Sequence, residues 1–199
     1  MTDFLSIPLH ALRVSADELL RTLGCPISAQ TDDMRLAAKN AIDHACSIAI
    51  PHARAQLFSI EWGNGSPSLA GTTLTLPGRD IANHLQTSNR CLLMAVTLGI
   101  QIERELIRLS HHPAQAVYFD AACSLLIEAS ADAAEAVWLG EIEHTDTVYR
   151  YSPGYGDLPL SIQPQMLSLL DANRTLGLTL TDSGLMIPRK SISALVGIR

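Results

Sequence analysis

A chain of 199 residues is long enough for one large domain, and 47% hydrophobic against 17% charged residues is a globular, somewhat apolar balance. A formal charge of −6, with no concentrated Lys and Arg, excludes a reader of nucleic-acid phosphates. Cys25, Cys46, Cys91 and Cys123 stand far apart with no CxxC pair, and they read as reduced thiols of a cytoplasmic protein.

The start, MTDFLSIPLHAL, has no basic region, and its apolar run is broken by Ser6, Pro8 and His10, which is unlike a secretory signal. HALRVSADELLRTLGC carries helical spacing, with Ser15 as N-cap, Glu18 as its capping-box partner and Gly24 as the stop. TDDMRLAAKNAIDHACSIAI predicts a second helix, capped near Thr31 and ended before Pro51. The period then changes: RAQLFSIEW alternates as a strand, GNGSPS reads as a turn, and AGTTLTLPG as the returning strand.

RDIANHLQTS predicts a short helix, and CLLMAVTLG a fully buried strand, although periodicity alone also allows a buried helix there. That run is about half the length needed to span a membrane. IQIERELIRLS and AQAVYFDAACSLLIEASADAAEAVWLGEIEH predict two helices separated by His111-His112-Pro113. PQMLSLLDAN predicts another helix, and LGLTLTDSGLMIPRKSISALVGIR two or three short strands. Blocks of helices and strands without βαβ alternation give an α+β class. Residues 1–199 read as a single domain, with a helical segment over about 1–50.

No HExxH, paired CxxC, Walker loop, GxGxxG or nucleophile elbow is present, and adjacent His111 and His112 cannot easily share one metal. Two features remain. In the long alanine-rich helix, Ser124, Glu128, Asp132 and Glu135 share roughly one face, either as a solvated acidic stripe or with one carboxylate aimed into a site. The loop YRYSPGYGD, residues 149–157, is too rigid and aromatic for a connector. Chemistry alone leaves it open between a structural loop and a binding loop. In the binding reading Arg150 forks onto a carboxylate, and Tyr149, Tyr151 or Tyr155 covers a flat ring or a cation.

In order along the chain, DIANHL, AVTLG, LIEASAD, YRYSPGYGDLPL and LGLTLTDSGLMIPRKSISALVGI closely resemble the activation (reactivation) domain of cobalamin-dependent methionine synthase. LLRTLGC also resembles the LRYLGY of its small stand-alone forms. The family's Arg-x-x-x-Gly-Tyr marker is met by Arg150, Gly154 and Tyr155. The resemblance implies a twisted antiparallel sheet with several helices, one of them long and alanine-rich. It implies S-adenosylmethionine as ligand, with Arg150 on its carboxylate, the Gly154-Tyr155 backbone beside it, and Glu128 on the pocket wall. Tyr149 and Tyr151 inherit no family role and return to the scaffold.

The resemblance further implies reductive methylation of an oxidised cobalamin carried by a partner, with an electron from a flavodoxin-like donor. No cobalamin-binding Asp-x-His-x-x-Gly module is present, so cobalamin enters only through that partner, a methionine synthase lacking its own activation domain. Little chemistry is expected of the chain in isolation. The family's late tyrosine falls beyond Arg199, which leaves as alternative a non-catalytic docking or chaperone-like protein for a corrinoid protein.

Overall fold

In the computed structural model, residues 3–63, 65–142 and 146–199 are described. The frame is an antiparallel sheet ordered β1 (Phe4–Ser6), β2 (His52–Gly63), β4 (Arg90–Thr97), β7 (Ser191–Ile198), with β3 (Ser66–Leu69) folded back on the far end of β2. β4 is the central strand: Arg90 to Thr97 pair with Ser59 to His52 on one side and with Ile198 to Ser191 on the other. Seven of its eight residues are buried. That explains the continuous apolar run in CLLMAVT, since a strand covered on both faces has no polar side to alternate with.

Strand alternation divides the core in two. Leu92, Met94 and Val96 of β4, with Ala194, Val196 and Ile198 of β7, face α1 (Ala16–Thr22), α2 (Asp32–Ile48), α4 (Ile100–Arg108) and α5 (Pro113–Glu141). Cys91, Leu93, Ala95 and Leu195 face α3 (Arg79–Leu85), α6 (Gln163–Leu169) and α7 (Ala172–Leu176). The sheet therefore lies between two helical layers. A two-stranded ribbon, β5 (Thr179–Leu180) with β6 (Met186–Ile187), precedes β7.

The capping box at Ser15 forms as expected: Ser15 Oγ accepts from the Glu18 N–H, and the Glu18 carboxylate accepts from the Ser15 N–H. Thr31 Oγ1 caps α2 by accepting from the Met34 N–H. His111-His112-Pro113 separates α4 from α5, with Pro113 in the first turn of α5 where its missing N–H costs nothing.

Three expectations shift. The returning strand is Ser66–Leu69, inside the segment read as a turn, while AGTTLTLPG contributes one bridge, Ser68 to Thr75, and a tight turn closed by Thr72 Oγ1 accepting from the Leu74 N–H. Pro67 is tolerated because the ladder with β2 does not need its N–H, and its carbonyl accepts from Leu76. PQMLSLLDAN divides into α6 and α7 at Asp171, whose φ of 50° is left-handed and incompatible with a continuous helix. β1, a three-residue edge strand, was too short to be signalled by any pattern.

Gly197 marks the tightest approach in the frame. A Cβ there would meet Val148 Cγ2 at 2.7 Å and Leu85 Cδ2 at 2.8 Å, and would also strike Ser88 Oγ. Gly197→Ala is expected to cost about 1–3 kcal/mol through overpacking, read as a lower urea midpoint with an unchanged slope.

Candidate functional site

β7 ends the sheet, and its outer edge is covered by the segment that follows α5. Tyr151 and Leu195 exchange both backbone hydrogen bonds at 2.9 Å, the Val148 N–H donates to Gly197 O at 3.0 Å, and Thr147 bridges Ile198. The start of YRYSPGYGD therefore behaves as a partial strand, with side chains alternating. Tyr149 and Tyr151 both lie against His84, with ring centroids 4.7 and 5.0 Å away, and His84 Nε2–H donates to Tyr149 O. Arg150, between them, points the other way, toward α5.

There it meets three carboxylates. Arg150 Nη1 lies 2.7 Å from Asp132 and 2.8 Å from Glu135, and Nη2 lies 3.2 Å from Glu128. These acids recur at four- and three-residue steps, so one face of α5 brings all three to the same cation. The Arg150 side chain is 19% exposed and Glu135 15%, whereas Glu128 and Asp132 are 63% and 70% exposed. Burial works against the Arg150 charge, but the hydrogen bonds it donates to Asp132 and Glu135 outweigh it and hold the guanidinium above its ordinary value. One cation against three carboxylates leaves an excess of two negative charges.

The clamp forms one wall of a cleft of about 780 Å³. The lining also includes Tyr149 and Tyr155, 77% and 67% exposed, with Leu160, the Gly184–Met186 turn and the first residues of β7. Arg189, also on the rim, is tied to Glu103, whose carboxylate accepts from its backbone N–H at 3.0 Å and from Nε at 2.9 Å. The lining combines a fork-shaped donor, surplus negative charge and two exposed aromatic rings, so it can receive a ligand with a carboxylate, a cation and a flat ring.

Of the residues singled out from sequence, Arg150, Glu128 and Tyr155 meet in this cleft. Gly154 is not on its wall: its N–H donates to Leu158 O at 2.9 Å, and the Tyr155 N–H donates to Ser152 O at 3.2 Å. Both N–H groups are used within the loop, so Gly154 shapes the turn and Tyr155 presents its ring. Tyr151 is scaffold as expected, its hydroxyl donating to Tyr155 O at 3.3 Å. Tyr149, assigned to the scaffold from sequence, packs on His84 and also lines the cleft. Asp132 and Glu135 bind Arg150 beside Glu128, and only their helical spacing hinted at this. Among the described residues, no three His, Cys, Asp or Glu side chains gather as a metal-holding group. No described helix is long and apolar enough to cross a membrane.

A sheet between two helical layers is an α+β architecture, and this fold is shared with a solved reactivation domain. The structure described as the MetH reactivation domain bound to AdoHcy superposes with a TM-score of 0.76 over 98% of this chain and 77% of its own length, at 15% identity. Residues 80–198 match the family described as vitamin B12 dependent methionine synthase, activation domain, and the chain belongs to that family. No curated protein matches in sequence.

The loop that carries Arg150 is anchored at its far end by Asp157, whose carboxylate accepts from the N–H groups of Arg79 and Asp80 at the start of α3. Gly156 sits between these anchors with φ of 50°, and a Cβ there would strike Asp80 Oδ2 and the Tyr151 hydroxyl. Gly156→Ala is therefore expected to lower stability by about 1–3 kcal/mol, with hydrogen exchange rising across residues 149–158 more than in β4.

Proposed function

We propose that the chain is a stand-alone activation subunit that binds S-adenosylmethionine and supports reductive methylation of the cobalamin of a partner methionine synthase lacking its own activation domain. The observation that carries the reading is Arg150 facing the cleft within the family's Arg-x-x-x-Gly-Tyr loop, beside surplus carboxylates. S-adenosylmethionine carries a carboxylate, an ammonium, a sulfonium and an adenine. Arg150 would take the carboxylate, Glu128 would face the cationic end, and Tyr149 or Tyr155 would cover the ring.

When bound, the ligand supplies the methyl group, and the chain's own residues position it and exclude water around it. The electron would come from a flavodoxin-like donor, and the setting is the cytoplasm. Residues 1–199 act as a single domain in this reading, because α1 and α2 share a core with α5.

One observation favours a second reading, a docking or chaperone-like protein for a corrinoid protein that does not use the methyl donor. Arg150 is already satisfied by three carboxylates, and the Gly154 and Tyr155 N–H groups are already engaged. Capture of a cobalamin-loaded methionine synthase that is indifferent to S-adenosylmethionine would favour this second reading.

Calorimetric titration with S-adenosylmethionine decides the ligand. The wild type is expected to bind, and Arg150→Ala to bind ten- to a hundredfold more weakly, the loss of about 1.5–3 kcal/mol for a charge-assisted hydrogen bond. Equal heats from both proteins, or none from the wild type, would overturn the assignment.

A further inference from the structure

The three carboxylates around Arg150 are not equivalent. Glu135 is 15% exposed and lies 2.8 Å from Nη1, so releasing it would strand a buried charge. Asp132 shares the same nitrogen at 2.7 Å but is 70% exposed, and water can solvate it as it leaves. Glu128 occupies the other nitrogen, at 3.2 Å. A ligand carboxylate that claims Nη1 therefore displaces Asp132 at least cost.

Once displaced, Asp132 stands in a cleft already rich in negative charge. The cations nearby are committed: Arg189 to Glu103, and Lys190 to Asp120 and Ser124. With those cations paired elsewhere, a cation carried by the ligand is the partner open to the displaced Asp132. Resting on the ligand reading above, we infer that Asp132 is a specificity residue that exchanges Arg150 for the ligand's cation, favouring the sulfonium of S-adenosylmethionine over the neutral thioether of AdoHcy. Glu135 is a positioning residue that keeps Arg150 aimed whichever ligand is present.

The two roles predict opposite behaviour. Asp132→Asn removes the partner of the sulfonium and also removes a competitor for Arg150. The preference for S-adenosylmethionine over AdoHcy should shrink about three- to tenfold, the scale of one partly exposed charge pair, and AdoHcy should bind as tightly as before or more tightly. Glu135→Gln should weaken both ligands by a similar factor and leave their ratio unchanged. Titration of the full chain and both variants with each ligand reads all of this.

An unchanged ratio in Asp132→Asn, with both ligands still bound, overturns the specificity role while the ligand reading stands. A proportional loss of both ligands in Asp132→Asn also overturns it, since that is what a merely structural residue would do. Failure of the wild type to bind either ligand removes the ligand reading and this inference together.

Discussion

The reciprocal backbone pairing of Tyr151 with Leu195 is the constraint on which the cleft depends. An uncovered β7 would present a row of unpaired N–H and C=O groups, and residues 147–151 pair with part of that edge. Because side chains alternate along an extended segment, fixing Tyr151 against the sheet fixes Arg150 on the opposite side, facing α5. Tyr149 and Tyr151 are held together by the intervening His84, and Asp157 ties the end of the loop to the start of α3. The arginine is thus placed by the sheet and merely tuned by the acids it meets.

Its depth follows from the other side of the site. α5 joins the core it shares with the sheet and α2 through Ala121, Ala122, Ala131 and Ala134, with Phe119 and Trp138 buried toward its two ends. Small residues in the middle let the helix approach closely, and the same turns project Glu128, Asp132 and Glu135 sideways over the edge of β7. Individual surface ion pairs contribute little, but here one scarcely exposed guanidinium is shared by three acceptors, and because it stays charged at any ordinary pH its burial has to be offset by pairing. The alanine-rich composition and the acidic stripe are two aspects of one arrangement.

What could be read from the sequence divides by range. Features set by neighbouring residues were legible: the Ser15–Glu18 box, the Thr31 cap, the break at His111-His112-Pro113, and the buried strand Arg90–Thr97, whose strand character follows from its length and flanks. Features set by a distant partner were not. Ser66–Leu69 looks like a turn because of its serines and proline, and becomes a strand because β2 extends past β4 and offers it a ladder. Glu128 and Arg150 were reached through family resemblance. The convergence of Asp132 and Glu135 on Arg150 depends on how α5 lies across the sheet, which no local pattern encodes. Tyr149 combines the packing expected of it, against His84 65 residues earlier in the chain, with a place in the cleft lining that no local pattern signals.

The unequal exposure of the clamp separates holding from choosing. A carboxylate that keeps an arginine in place has to be sheltered, since hydration would compete for it, and Glu135 meets that condition. A carboxylate that answers to a ligand has to be cheap to release, and Asp132 and Glu128 meet that one. The loop's own N–H groups are already engaged, so the Gly-Tyr pair shapes the wall without supplying free donors. The charged side chains of the cleft that can respond are those of the clamp, since Arg189 is tied to Glu103, and the charge of whatever enters the cleft decides which of the clamp's pairs survive.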